Sequence, residues 1–185
     1  MGLFEFKSTA SETLPFEAGL LYDVLTDYDS YSEWLPFVTQ SKLLAREGDL
    51  AIAEFELAKS NGAKFAIECI HTRNRMVLTR RISGSVPVDQ AEWTLEAVDA
   101  ASTRVTVELL GRVSWKRLLP GYAGFARGGN WLAALRRQAG TFSGGVSVEG
   151  PGGEKIIEIL EGDEGLVCWI RGKKYVMQAA PEGKQ

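Results

Sequence analysis

Groups able to move protons, attack electrophiles or bind metals are few in this chain. It carries one histidine, His71, and two cysteines, Cys69 and Cys168. A multi-histidine metal site is thereby excluded, and no Cys-x-x-Cys pair exists. Asp27, Asp29 and Glu33 superficially match a calcium loop. The central glycine is missing, however, and Tyr31 stands where a ligand is needed, so helix capping accounts for these acids better. There is no nucleophile elbow, Walker loop or dinucleotide fingerprint. Gly150-Pro151-Gly152-Gly153-Glu154-Lys155 has glycines and a lysine at the wrong spacing for phosphate and reads as linker. No cofactor and no metal are expected. His71, just after Cys69 and Ile70, reads as a rim histidine at a strand end.

Arg80 invites a sharper reading. In the alternation Met76, Leu78, Arg80, Ile82 it shares the parity of the apolar residues. A buried arginine is costly unless paired, so Arg80 meets either a carboxylate or a polar group of a ligand. The competing reading is a register slip that carries its head to solvent with the stem over the sheet rim. Tyr22, Tyr28, Tyr31 and Tyr122 either supply hydroxyls at a cavity mouth or pack amphipathically at an edge.

These groups need a frame. Phe4 and Phe6 alternate with Glu5 and Lys7 as a first strand. Pro15 opens a short helix carrying Leu20, Leu21, Val24 and Leu25, which ends near Asp27. Ser30-Tyr31-Ser32-Glu33 fits a capping box for a second short helix bearing Trp34 and Leu35, stopped by Pro36. A six-strand antiparallel meander follows, with apolar residues at every second position. Its inner face includes Ala51, Ala53, Phe55 and Leu57; Phe65, Ile67 and Cys69; Met76, Leu78 and Ile82; Trp93 and Leu95; Val105, Val107 and Leu109. Turn chemistry at Asn61-Gly62, Arg73-Asn74-Arg75, Gly84-Ser85 and Asp99–Ser102 separates the strands. Glu54, Glu56, Lys64, Glu68, Glu92, Glu96, Arg104 and Glu108 fall on the wet face. Trp131, Leu132, Leu135 and, at its end, Phe142 form the stripe of a long last helix opposed by Arg136, Arg137 and Gln138.

The fold class is therefore α+β, with helices segregated to one side of a curved antiparallel sheet. We expect one domain over 1–145. A Gly-rich linker (Gly144–Gly153) and a short β-ribbon extension occupy 146–185, with strands near Lys155–Leu160, Leu166–Arg171 and Tyr175–Gln178. A two- or three-strand ribbon is marginal alone, so the apolar extension is expected to cover an edge of its own sheet or to support a homodimer.

The chain's 185 residues, 45% hydrophobic and 24% charged, exclude disordered and fibrous classes. Met1–Phe6 lacks a secretory pattern and no apolar run approaches a membrane span, so a soluble, cytoplasmic protein is expected. The net charge of −3 hides an asymmetry. Residues 1–35 hold seven acids against Lys7, whereas 109–148 hold Arg112, Lys116, Arg117, Arg127, Arg136 and Arg137 and no acid. Facing segments in the fold explain this most simply; a basic face for a membrane, a ribosome or an acidic partner is the alternative. DNA is not an expected partner.

The run from Leu20 to Pro36, Leu-Leu-Tyr-Asp-Val-Leu-Thr-Asp-Tyr-Asp-Ser-Tyr-Ser-Glu-Trp-Leu-Pro, followed by Val38 and Ser41, resembles the N-terminal signature of the START-like helix-grip superfamily. It is most similar to the branch of polyketide cyclase/dehydrase and coenzyme-Q-binding proteins. The strands around Ala91–Leu95 and Val105–Trp115 fall in the expected places, and the resemblance spans about residues 3–143. Coenzyme-Q-binding relatives carry Gly-Pro-Phe before the tryptophan strand, where this chain has Gly84-Ser85-Val86-Pro87-Val88. The resemblance implies a sheet wrapped around the last helix, with an apolar ligand held between them. The expected lining is Ala53, Phe55, Phe65, Ile67, Leu78, Arg80, Trp93, Leu95, Val107, Leu109, Trp131 and Leu135. The first expectation is a non-catalytic carrier of a lipid, isoprenoid quinone or polyketide. The second is a polyketide aromatase/cyclase or dehydratase. The third is a ribosome- or protein-interaction module using Arg112–Arg137.

Overall fold

Strict period-two patterning with one dry face dictates how these strands stack. The computed structural model describes residues 3–58, 63–114, 125–149, 155–162, 165–170 and 173–177, with side chains over 5–58, 63–112 and 125–141. Two compact units divide at residues 137 and 138.

The first unit opens with β1 (Leu3–Leu14), α1 (Ala18–Thr26), a 3₁₀ turn (Tyr28–Ser30) and α2 (Tyr31–Trp34). Six strands follow: β2 (Val38–Glu47), β3 (Leu50–Leu57), β4 (Lys64–Thr72), β5 (Met76–Gly84), β6 (Val88–Ala97) and β7 (Thr103–Ser114). Then comes α3 (Gly128–Gly140). The curved sheet has the order β1-β7-β6-β5-β4-β3-β2 and is antiparallel throughout. Its first strand therefore pairs with its last, Phe4 opposite Val113 and Ala10 opposite Val107.

Register places like with like on the inner face. Phe55 lies opposite Phe65, Ala53 opposite Ile67, Trp93 opposite Val107 and Leu95 opposite Val105, and all of them are buried. A one-residue slip would send this whole set to water. The outer face carries exposed ion pairs such as Lys7–Glu108 at 2.7 Å and Lys64–Glu54 at 3.4 Å. α3 approaches β1 and β7 closely at its first residue. A Cβ at Gly128 would sit 3.3 Å from Val107 Cγ1 and 3.4 Å from the Ala10 nitrogen, and the Gly128 N–H donates to Ser8 Oγ at 3.0 Å. Arg136 on the same helix reaches Glu12 of β1 at 2.8 Å.

β5 departs from expectation. Val77 and Thr79 are buried on the inner face, whereas Leu78 is half-buried and Arg80 exposed on the outer face. The reason lies in the neighbours. Cys69 on β4, Thr79 and Ala91 on β6 stand in one inward row, and Ile70 and Leu78 in an outward one. Leu78 has apolar company outside, opposite Ile70, which in turn faces Leu50. Size and apolarity alone therefore indicate the wrong parity on this strand.

The turn after α1 differs as well. Ser30 precedes α2 without a side-chain cap bond, so the expected capping box does not form. Asp29 is used otherwise: its Oδ1 accepts the Leu43 N–H at 2.7 Å and its carbonyl accepts the Ser41 hydroxyl at 2.9 Å. The segment is pinned to β2 rather than capped.

The second unit contains β8 (Phe142–Glu149), β9 (Lys155–Gly162), β10 (Gly165–Ile170) and β11 (Lys173–Met177), in the antiparallel order β11-β10-β9-β8. Phe142 opens β8 instead of ending the helical stripe. Residues 144–149, read as linker for their glycines, are strand; paired neighbours on β9 override the low strand propensity of glycine. The remainder of the expected linker, 150–154, lies outside the described residues.

Candidate functional site

Most of the expected lining converges on the inner face. Ala53, Phe55, Phe65, Ile67, Trp93, Leu95, Val107 and Leu109 from the sheet and Trp131 and Leu135 from α3 are all buried. Leu78 and Arg80 are not part of this group, because the β5 register turns them outward; Arg80 stands between Glu68 and Gln90 on the outer face.

The inner residues form a chain of aromatic contacts. Phe55 stacks on Phe65 with centroids 5.4 Å apart, Phe65 meets Phe125 edge-on at 6.3 Å, and Phe125 meets Trp131 at 5.1 Å. Trp131 extends it to Trp93 at 6.3 Å and to Phe37 at 6.2 Å. From the other side Tyr31 leans on Phe55 at 5.3 Å and on Trp34 at 4.7 Å. Aromatic faces and edges in such arrangements present large, rigid apolar area to a flat or conjugated partner.

Polar groups enter this interior at one end. His71 is 4% exposed, not the rim residue expected. It continues the inward alternation Phe65, Ile67, Cys69, and extending that period by one step would have found it. Its Nε2 lies 2.6 Å from the Tyr28 hydroxyl, with the two rings stacked at 5.8 Å and Tyr22 set edge-on at 6.2 Å. The Tyr31 hydroxyl donates to the Leu25 carbonyl at 2.7 Å. Burial, reinforced by the positive charge of Arg46, lowers the His71 pKa to about 4. Burial pushes the Cys69 thiol up to about 12 and raises Tyr28 and Tyr31 well above the ordinary phenol range. At neutral pH the cluster is uncharged, and Cys69 is a thiol rather than a nucleophilic thiolate. The indole Nε1 of Trp34 is buried without any hydrogen-bond partner. Tyr122, the remaining tyrosine of interest, lies outside the described residues.

Arg81 takes the role considered for its neighbour Arg80. Across from Ile67, it binds Asp89 through Nε at 3.1 Å and again through Nη2, while Nη1 donates to the Gly84 carbonyl at 2.6 Å. Arg112 reaches the other Asp89 oxygen at 2.8 Å. Burial disfavours the Asp89 carboxylate, but the hydrogen bonds from Arg81 and Arg112 outweigh it and hold the pKa below the usual range. This knot fastens the ends of β5, β6 and β7. Gly84, at φ +80°, and Gly111 close the same rim: a Cβ there would collide with the carbonyls of Lys64 and Pro87 respectively.

The basic stretch is partly spoken for. Arg112 is paired with Asp89 and Arg136 with Glu12, whereas Lys116 and Arg117 lie outside the described residues. A groove of about 460 Å³ along β2 and β3 is lined mainly by polar residues, among them Ser32, Lys42, Glu54 and Lys64. Such a lining suits water better than an apolar molecule. Among the described residues no cluster of His, Cys, Asp and Glu could hold a metal ion, and no helix is long and apolar enough to cross a membrane.

The family model described as polyketide cyclase/dehydrase and lipid transport matches residues 14–126, more than half of the chain. The chain belongs to that family. The match runs from the end of β1 to the segment just before α3, and so includes the whole meander. Solved structures place the polyketide cyclase/dehydrase chain in the START-like helix-grip fold. The Zhui aromatase/cyclase from a Streptomyces strain superposes with a TM-score of 0.59 at 15% identity, over 74% of this chain and 94% of that one. A START superfamily protein from Mycobacterium smegmatis gives 0.61 at 16% identity, over 72% and 97%. Norcoclaurine synthase from Thalictrum flavum, solved with dopamine and hydroxybenzaldehyde, gives 0.55 at 10% identity, over 77% and 90%. At these identities the likeness establishes a shared fold, on which binding proteins and enzymes both occur. No curated protein matches the sequence.

Proposed function

We propose that this member of the family binds and carries a hydrophobic small molecule between α3 and the inner face of the sheet, without transforming it. The observation that carries the reading is the unbroken aromatic wall from Tyr31 through Phe55, Phe65 and Phe125 to Trp131 and Trp93. Ligand sites of this kind are mostly apolar, with a few fixed polar groups that orient the guest. The family's description includes lipid transport, and the fold family binds hydrophobic small molecules. General acid–base catalysis works best through a group whose pKa lies near the working pH. The inward ionisable groups here lie far from neutrality on both sides, His71 at about 4 and Cys69 at about 12. Native mass spectrometry of freshly purified protein tests the proposal. A copurified apolar compound of unchanged structure is the expected result; an empty protein that takes up no apolar compound overturns it.

One observation favours an aromatase/cyclase or dehydratase instead. The Tyr28 hydroxyl, 2.6 Å from His71 Nε2, is a hydrogen-bonded donor–acceptor pair inside an apolar enclosure. Such a pair could polarise a substrate carbonyl and relay a proton. Turnover of a polyketide chain by the purified protein, lost in Tyr28→Phe while ligand binding persists, would replace the carrier reading with this one.

A further inference from the structure

We propose that Trp34 anchors the bound molecule: its indole Nε1–H donates to an oxygen acceptor, such as a ketone or ester carbonyl, on an otherwise apolar ligand. The inference rests on the carrier reading and adds what the ligand must carry.

Trp34 is 6% exposed, and its Nε1 has no hydrogen-bond partner. The comparison with Trp131 is direct. That indole, in the same aromatic cluster, donates to the Phe125 carbonyl at 2.8 Å. Buried hydroxyls of the interior are also satisfied: Thr79 donates to the Ala91 carbonyl at 3.2 Å and Tyr31 to that of Leu25 at 2.7 Å. Native interiors pair nearly all such groups, so this donor, the one buried side-chain group without a partner among the described residues, calls for an explanation.

Chemistry narrows the missing partner. An indole N–H donates and cannot accept, so only an acceptor satisfies it. Ammonium ions and pure hydrocarbons offer none. A carboxylate would accept, but bringing its charge into this enclosure is costly when the inward cluster of Tyr28, Cys69 and His71 is uncharged. A neutral oxygen remains, and a carbonyl, with its exposed in-plane lone pairs, is the strongest such acceptor on an otherwise apolar molecule. Position agrees: Trp34 lies three residues after Tyr31, hence on the same side of α2. Tyr31 touches both Trp34, at 4.7 Å, and Phe55 of the aromatic wall, at 5.3 Å. A conjugated ketone lying along that wall would present its oxygen beside Trp34.

A matched pair of probes tests the assignment: 2-acetylnaphthalene, which carries a carbonyl, and 2-ethylnaphthalene, which has nearly the same shape and no acceptor. Titrations of the full chain and of Trp34→Phe are compared. The variant should bind the ketone about five- to tenfold more weakly, as expected for one net hydrogen bond, and the hydrocarbon equally well. In ¹⁵N-edited spectra, the indole signal absent from the variant identifies Trp34. That signal should move downfield with the ketone and stay unmoved with the hydrocarbon. If both probes bind but the ketone-to-hydrocarbon ratio is the same in the variant, or if the indole signal ignores the ketone, Trp34 is not the anchor and the carrier reading stands. If neither probe binds the unaltered protein, both readings fall.

Discussion

The Tyr28 hydroxyl and His71 Nε2 are 2.6 Å apart although the residues are 43 positions apart in the chain, with α2, β2, β3 and most of β4 between them. The pair joins the turn after α1 to the inward row of β4 at a place where both rings also stack. The only histidine of the chain is uncharged there, because burial and then the charge of Arg46 oppose its protonation.

Stability should therefore depend on pH through His71. Its pKa is about 4 when folded and about 6.5 when unfolded, so between these values the unfolded chain binds the extra proton. The stabilisation is fully present above pH 6.5, declines as pH falls through the window and is lost completely only below pH 4. The loss is at most about 3 kcal/mol. Urea unfolding from pH 7 to 4.5 should show this slope in the unaltered protein, and His71→Gln should flatten it. A flat profile in the unaltered protein would mean that His71 reaches water.

Two adjacent arginines should behave differently. Arg81→Ala leaves Asp89 partly buried with one guanidinium fewer, and should destabilise by about 1–2 kcal/mol. Arg80→Ala on the outer face should change stability by less than about 0.5 kcal/mol. Chemical denaturation of both variants checks the order, and a reversed order would return Arg80 to the inner face.

That contrast marks where sequence patterning loses its grip. On β3, β4, β6 and β7 one parity is plainly apolar, and Phe55, Ile67, Trp93 and Val107 stand where alternation predicts. On β5 the two parities compete: Met76, Leu78, Arg80 and Ile82 against Val77, Thr79, Arg81 and Ser83. The choice is made by partners on β4 and β6, which a single strand's pattern does not contain. Asp29 is similar. Its type suits a cap, but the amide it binds belongs to Leu43, fourteen residues away, and only the fold brings them together. In the second unit glycines between residues 144 and 149 suggest a linker, yet long-range pairing makes them strand. Among the candidate lining residues, side-chain parity was legible wherever local pattern and neighbours agreed.

Narrowing the interior should remove ligand binding before it removes the fold. Ala53→Trp and Val107→Trp both add bulk at fully buried positions, at a cost of about 1–3 kcal/mol. Val107 already lies against Gly128, so its variant should also shift α3. Uptake of 2-acetylnaphthalene, followed by calorimetry alongside a circular dichroism check of folding, should be lost in both. Unchanged affinity in two folded variants would move the site elsewhere.

Gly111→Ala tests the rim. The added methyl would run into the Pro87 carbonyl, which is held in place by the Arg112 N–H at 3.0 Å. Backbone must move on both sides, and we expect a loss of about 1–3 kcal/mol, read as a lower Tm. A variant with the Tm of the unaltered protein would show that the segment before β6 yields freely.

The pairing of β1 with β7 has a consequence for how the molecule comes into being. Phe4 finds its neighbour Val113 about 100 residues further along, so β1 leaves the ribosome before the other strands of its sheet and is the last of them to gain a partner. At roughly 5–20 residues per second, β1 waits about 5–20 s before its partner exists. Such distant contacts make for slow closure. Throughout that interval the chain has a growing meander from β2 onward and a solitary strand ahead of it. Birth order and sheet order agree from β2 to β7 and part only at β1, which acts as the clasp that shuts the sheet once β7 has been made.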